Sequence, residues 1–310
     1  MHMRYKVLTA CLLTLASAAG FSQAADFGNP VQVTISGLPN GPDGSPMNQE
    51  EPYISRNGKT LFFNGGAENN HRLLHYAERG ANGGWTYRGQ ISLGGEDEKY
   101  VQGAPAIDVD NNLVFSDTGV DSMVRSGRFS GGKLSSVRAI DGLPPRKANA
   151  FARKFQGNMG PEVSPDSRVL YFTEAAWGAG GFMSGQLLRA NIHFATHRGG
   201  ATYYYDQSEV ERVMENVNSR DIEYSPAISS DGLELFFTRI LLADRANNRD
   251  RALIMRAVRG STSQPFDSPV EVMGVGEDVM AEAPSISGDG SELYYQKTEG
   301  GKTRIYMVTR

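Results

Sequence analysis

The feature that most constrains this chain is a proline-led pattern that returns five times. Each copy reads as Pro, any residue, an aliphatic residue, a turn, then a short aromatic or aliphatic run. The first is Pro52-Tyr53-Ile54-Ser55-Arg56-Asn57-Gly58, leading to Leu61-Phe62-Phe63. The others start at Pro105, Pro161, Pro226 and Pro284, and lead to Leu113-Val114-Phe115, Leu170-Tyr171-Phe172, Leu235-Phe236-Phe237 and Leu293-Tyr294-Tyr295. Proline is tolerated at the start of a strand, where its missing N–H costs least. Asn-Gly and Asp-Gly supply the positive φ angles of a tight hairpin turn. The aromatic run suits a strand buried on both faces. Two further strand-like runs follow each hairpin. The third strands are expected at Leu73–Arg79, Met123–Phe129, Leu187–His193, Leu253–Arg259 and Ile305–Arg310. The fourth are expected at Trp85–Leu93, Leu134–Ile140, Ala201–Asp206 and Phe266–Met273. Four strands per repeat make the sheet of a propeller blade.

Spacing sets the number of blades. The prolines lie 53, 56, 65 and 58 residues apart, which leaves no room for a hidden blade. After Pro284 the chain has half a repeat, and residues 25–51 make up the other half. Phe27-Gly28-Asn29-Pro30-Val31 mirrors Phe266-Asp267-Ser268-Pro269-Val270, which reads as a fourth strand. The N-terminal strand around Val31–Ile35 is therefore expected to complete the last blade and remove an exposed sheet edge. The longest interval carries Ser208 and Glu211 in capping-box spacing, so a short helix is expected there.

The pattern Pro-x-Ile-Ser-x-Asp-Gly-x-x-Leu-Phe-Phe, clear in four copies and degenerate at Asp108-Val109-Asp110-Asn111-Asn112, resembles the WD40-like (PD40, TolB-type) repeat. The likeness spans nearly the whole of residues 25–310 and implies an all-β, five-bladed propeller of four-stranded blades. Such propellers serve many tasks, so it implies little about function.

Residues 1–24 read as a cleavable signal peptide. Arg4 and Lys6 precede an apolar stretch, and Ser22 and Ala24 supply small residues before the cut. The expected location is periplasmic or secreted, with no transmembrane segment, since the apolar run is shorter than the ~20 residues a spanning helix needs. The one cysteine, Cys11, lies in this segment. The remaining 286 residues can form neither disulfides nor thiolate sites. A net charge of −4 gives no signal for nucleic acid.

Chemistry is expected on the face that carries the loops leading into each innermost strand, opposite the Asp-Gly turns. Those lead-in loops are acidic in the first blade (Glu50, Glu51), the second (Glu96, Asp97, Glu98), the fourth (Asp221, Glu223) and the fifth (Glu277, Asp278, Glu282). In the third they are basic, with Arg146, Lys147, Arg153 and Lys154. The acidic loops are either solvated surface or a carboxylate-lined mouth for a cation, a polyol or acid–base work. The basic loop is either solvated or a lip for an anionic group. Glu174 and Trp177 fall in the expected second-to-third loop of the third blade, where Trp177 either packs or offers a stacking platform. Glu50 and Glu282 hold equivalent places, two residues before Pro52 and Pro284, which should bring their carboxylates together.

Familiar catalytic motifs do not hold up. His71/His75 and His193/His197 are each four apart on strands, about 13 Å, too far to share one ion. Asp108-x-Asp110-x-Asn112 lacks the glutamate that ends a calcium loop, because Gly119 stands there. Gly178-Ala179-Gly180-Gly181 lacks the strand–loop–helix setting of a dinucleotide site. No cofactor is expected beyond a possible cation at the mouth. The expected function is a non-catalytic binding or scaffold module for a protein or glycan partner. The alternative is a glycoside hydrolase-like enzyme that uses paired carboxylates.

Overall fold

A computed structural model describes residues 27–41, 44–66, 72–94, 101–149, 154–179, 186–243, 251–272 and 280–310. The expected signal peptide, and with it Cys11, lies outside the described residues, as do His71, Glu96–Glu98, Arg153, Glu277 and Asp278. Two short strands come first, β1 (Val31–Gln32) and β2 (Ile35–Ser36). The first blade follows as β3 (Glu50–Ile54), β4 (Thr60–Gly66), β5 (Arg72–Arg79) and β6 (Trp85–Gln90). The second is β7 (Gln102–Ile107), β8 (Asn112–Asp117), β9 (Val124–Ser130) and β10 (Lys133–Ala139). The third is β11 (Lys147–Asn149), β12 (Lys154–Val163), β13 (Val169–Trp177), β14 (Leu187–Gly199) and β15 (Thr202–Tyr205), after which helix α1 (Gln207–Val213) is inserted. The fourth is β16 (Ile222–Ile228), β17 (Glu234–Ile240), β18 (Ala252–Val258) and β19 (Val270–Glu271). The fifth is β20 (Met280–Ile286), β21 (Glu292–Glu299) and β22 (Lys302–Thr309). These form five sheets, antiparallel but for one added parallel strand, arranged as a five-bladed β-propeller.

The ring closes as the mirrored sequence requires. Strand β1 pairs with β22, Val31 opposite Met307 and Gln32 opposite Tyr306. Phe27 is buried against Phe236 with the Arg310 guanidinium 5.2 Å from its ring centre. Phe266 is buried with Arg259 above it at 4.3 Å, so the two fourth strands are anchored alike. The closing strand is shorter than expected. Ile35–Ser36 leaves the fifth blade and runs parallel to β6 of the first, tying the two together.

The five turns are built alike. In four, a serine hydroxyl donates to the Asn or Asp two residues on (Ser55 to Asn57, Ser164 to Asp166, Ser229 to Asp231, Ser287 to Asp289). In the second blade Asp108 does both jobs, accepting from the N–H groups of Asp110 and Asn112 and from Ser167 Oγ. The degenerate hairpin is a turn, as its sequence suggested. Apolar side chains fill the spaces between blades, with Phe62, Phe63, Phe115, Phe172, Phe236, Phe237, Tyr294 and Tyr295 all fully buried.

Helix α1 lies where it was expected, but its N-cap is Asp206 rather than Ser208. Asp206 accepts from the N–H groups of Ser208 and Glu209 and from the Ser208 hydroxyl. An aspartate that takes three donors outcompetes a serine that could take one.

Candidate functional site

Each innermost strand carries a bulge at the same place, and that bulge builds the centre of the ring. The residue before each proline has positive φ: Glu51 (49°), Ala104 (46°), Gly160 (57°), Ser225 (51°) and Ala283 (53°). A left-handed L-residue costs roughly 1–2 kcal/mol, so four of the five positions need compensation. The pairing register of every innermost strand shifts across this residue. The bulged N–H leaves its own ladder and reaches the neighbouring blade. Gly160 N–H donates to Ser116 Oγ at 3.0 Å, Ser225 N–H to Thr173 Oγ1 at 3.1 Å, and Ala283 N–H to Thr238 Oγ1 at 2.9 Å. At the closing joint Glu51 N–H donates to Gln296 Oε1 at 2.7 Å.

The joint between the first and second blades breaks this rule. Its acceptor by position is Asn64, opposite Glu50 in the register as Gln296 is opposite Glu282. Instead Ala104 N–H donates to the Glu51 carboxylate at 2.7 Å. Asn64 is fully buried beside Glu51, and its Oδ1 has no hydrogen-bond partner. Gly103 makes room for the carboxylate, since a Cβ there would sit 2.5 Å from Glu51 Oε2.

Glu50, Glu51 and Glu282 thus converge on one sector of the mouth. Glu282 accepts from the Tyr224 hydroxyl and from Gln296 Nε2, the latter at 3.1 Å. Glu50 is held by Arg72 Nε at 2.7 Å. Burial pushes the Glu50 carboxyl up to about 7, against the pull of Arg72, and the nearby charges of Glu51 and Glu282 add to the rise. Burial also raises Glu51, opposed by Arg72, the Ala104 N–H and the Asn64 side chain. Arg72 itself is half exposed.

The channel behind the mouth is closed. Pro52, Pro105, Pro161, Pro226 and Pro284 surround a cavity of about 30 Å³, room for on the order of one water molecule. Beyond them Arg56 crosses from the first blade, donating to Glu162 at 2.6 Å and to the Ile228 carbonyl at 2.8 Å. Burial pushes Glu162 up to about 7 even with Arg56 beside it. A larger polar cleft, about 620 Å³, opens on the turn face between the first and fifth blades. Most of its charge is already engaged, Arg56 with Glu162, Arg79 with Glu292, and Asp289 with the hydroxyls of Ser287 and Ser291.

Three other expected site residues are placed differently. Trp177 is buried between the third and fourth blades with Ile222 and Tyr224, its ring 5.5 Å from that of Phe155. Strand β13 runs on as far as Trp177, so the residue offers no stacking platform; its apolar area is worth more inside the joint. Glu174 lies on that same strand rather than in a loop. It accepts from Gln156 Nε2 and stands 3.7 Å from His193 Nε2. Glu223 is fully buried, bound by Arg239 Nε at 2.9 Å and Ser219 Oγ at 2.5 Å, where it fixes a turn instead of facing a ligand.

The basic lip is partly strand. Lys147 lies on β11, which pairs with β12, and Arg146 is tied to Asp121 at 3.3 Å and to the Thr118 carbonyl at 3.2 Å. His75 and His193 are buried, each with Nδ1 2.9 Å from a tyrosine hydroxyl, Tyr87 and Tyr205. Burial lowers His75 to about 4 and lowers His193 as well. Glu51 and Asn64 were the participants that sequence reasoning did not connect. The only hint was that Glu51 stands where the other copies have Ala, Gly or Ser.

The sequence matches no protein-family model, and no curated protein matches it. Solved structures do match. One titled as a glycoside hydrolase superposes with a TM-score of 0.60 at 11% identity, covering 92% of this chain and 92% of that one. The endo-arabinase from Bacteroides thetaiotaomicron VPI-5482 gives 0.51 at 12% identity, covering 92% and 98%. TolB from Acinetobacter baumannii gives 0.40 at 12%, covering 86% of this chain and 56% of that one. At these identities the first two show a likeness of fold alone. Among the described residues no helix is long and apolar enough to cross a membrane.

Proposed function

We propose that this chain is an exported, non-catalytic binding or scaffold module that holds a protein or glycan partner on its lead-in face. The observation that carries the reading is the gathering of Glu50, Glu51 and Glu282 in one sector of a mouth whose channel is shut behind them. A ligand there rests on the ring instead of threading it. Buried carboxylates that raise one another's pKa are costly, and such costs concentrate at functional sites. The PD40-like repeat and the N-terminal basic–apolar–small pattern support export to the periplasm or beyond. The test is a glycan array and candidate-partner screen on the mature chain, run beside Glu50→Gln/Glu282→Gln. Retention by the parent, lost in the double variant, with no chemical change to the ligand, is the expected result. Equal retention by both overturns it.

A second reading is a glycoside hydrolase. It is favoured by a carboxyl near pKa 7 beside a second carboxylate, and by the glycoside hydrolase and endo-arabinase among the similar folds. A group poised near neutrality can serve as a general acid. Release of reducing sugar from arabinan or aryl glycosides, abolished in Glu50→Gln, would select this reading.

A further inference from the structure

We infer that the mouth sector between the first, second and fifth blades is a site for an organic cation, a guanidinium or alkylammonium group, and that its binding draws Glu51 off the Ala104 N–H while Asn64 takes that N–H over. The inference deepens the binding-module reading and rests on it.

Three observations converge. The sector holds three carboxylates, Glu50, Glu51 and Glu282, yet the positive group acting on Glu50 and Glu51 is Arg72. Arg72 reaches in from a half-exposed position to lay its Nε on Glu50. The chain's own guanidinium therefore already shows what kind of group the sector accepts, and it can be displaced towards solvent.

The second observation is the unpaired amide oxygen. In the other four joints a side chain of strand two accepts the neighbouring bulged N–H. Here that side chain, Asn64, is present and fully buried, and its Oδ1 bonds to nothing. A buried acceptor left unpaired costs about 1–3 kcal/mol. Exchanging Asn64 for Glu51 on the Ala104 N–H would conserve the hydrogen bond there, restore the pattern of the other joints and free a carboxylate for a ligand. Gly103 leaves the carboxylate the space it occupies now, where the equivalent residues are Glu50, Met159, Tyr224 and Glu282.

The third observation sets the kind of cation. Among the described residues no three His, Asp or Glu side chains stand close enough together to hold one metal ion. Carboxylates that form no such group suit a planar guanidinium or an ammonium, which can donate hydrogen bonds to separate acceptors.

The test is an amide-resolved NMR titration of the mature chain with N-acetyl-arginine methylamide, N-acetyl-lysine methylamide, agmatine and calcium chloride at constant ionic strength. Saturable shifts at Ala104 and at the Asn64 side-chain amide are expected with the organic cations. Glu50→Gln/Glu282→Gln should weaken binding at least tenfold. Asn64→Leu should weaken it at least fivefold while the fold is kept, and Arg72→Gln should tighten it about threefold by emptying the site. Tighter binding of the capped amino acids than of agmatine assigns the group to a polypeptide partner; the reverse assigns it to a free amine. The inference is overturned if the shifts match those of sodium chloride, if calcium alone saturates the site, or if Asn64→Leu binds like the parent. Should the double carboxylate variant still lose its partner in those cases, the binding-module reading survives and only the cation and the exchange fall.

Discussion

The joint between the fourth and fifth blades and the joint between the first and second are built on the same plan with different outcomes. In the former, Thr238 accepts the Ala283 N–H, a short neutral contact with nothing left over. In the latter, a buried carboxylate does that work while the oxygen of a buried amide is left unpaired beside it. Both joints keep the bulge, the proline and the positive φ, so propeller geometry does not require the difference. A ring can be closed with neutral side chains throughout. Where it is closed with a charge, stability has been given up, and the charge faces the mouth.

The comparison is tested most severely by opening the ring itself. Deleting residues 25–36 removes β1 and β2, strips the outer edge of β22 and unties the fifth blade from the first. The expected result is aggregation or a melting temperature lower by more than about 10 °C, since ~1 kcal/mol corresponds to roughly 2–4 °C in a chain near this size. A truncated chain that melts like the parent would show that closure is not carried by this strand. Trp177→Ala comes next, at about 3–5 kcal/mol for a large buried aromatic side chain. Denaturant unfolding should show the loss, and ligand retention at the mouth should be unchanged.

Thr238→Val is expected to cost about 1–3 kcal/mol, because the Ala283 N–H loses its acceptor in a buried joint. Asn64→Leu at the matching position should cost under about 1 kcal/mol, because removing its unpaired buried oxygen offsets what the amide gives up. Equal costs for the two would erase the distinction between the joints.

A further effect depends on pH. Glu50 titrates near 4.5 when unfolded and about 7 when folded, so the native state holds the proton longer. Its contribution to stability therefore falls as pH rises from 4.5 to 7. His75 runs the other way, gaining stability between about 4 and 6.5, and does so equally in parent and variant. The melting temperature of Glu50→Gln minus that of the parent should accordingly rise between pH 4.5 and 7 and level off above. A flat difference would mean that Glu50 is not desolvated at the mouth.

Much of this architecture could be read from the chain alone. The proline spacing counted the blades, and the likeness of Phe27–Val31 to Phe266–Val270 located the closing strand. Both rest on local chemistry: Gly or Asn where φ turns positive, aromatic residues where sheets stack, and a proline in each innermost strand, which stands inside the strand just after its bulge and not at the strand start its pattern suggested. Glu50 and Glu282 were paired by position for the same reason, since a repeat makes equivalence visible.

Trp177, Glu174 and Glu223 were misplaced because sequence cannot say how far a strand runs past its expected end. Strand β13 carries Glu174 and Trp177 inside the joint, and Arg239 captures Glu223 from the neighbouring strand. The exchange at Asn64 and Glu51 was out of reach for a deeper reason. It depends on which of two nearby acceptors a backbone N–H from another blade meets. The two lie 13 residues apart in the chain and the donor is 40 residues further on. Repeats fix which positions are equivalent, because that is written in local propensity. Which equivalent position departs from the rule is decided by side chains meeting across blades, and only the folded ring brings them within hydrogen-bond distance.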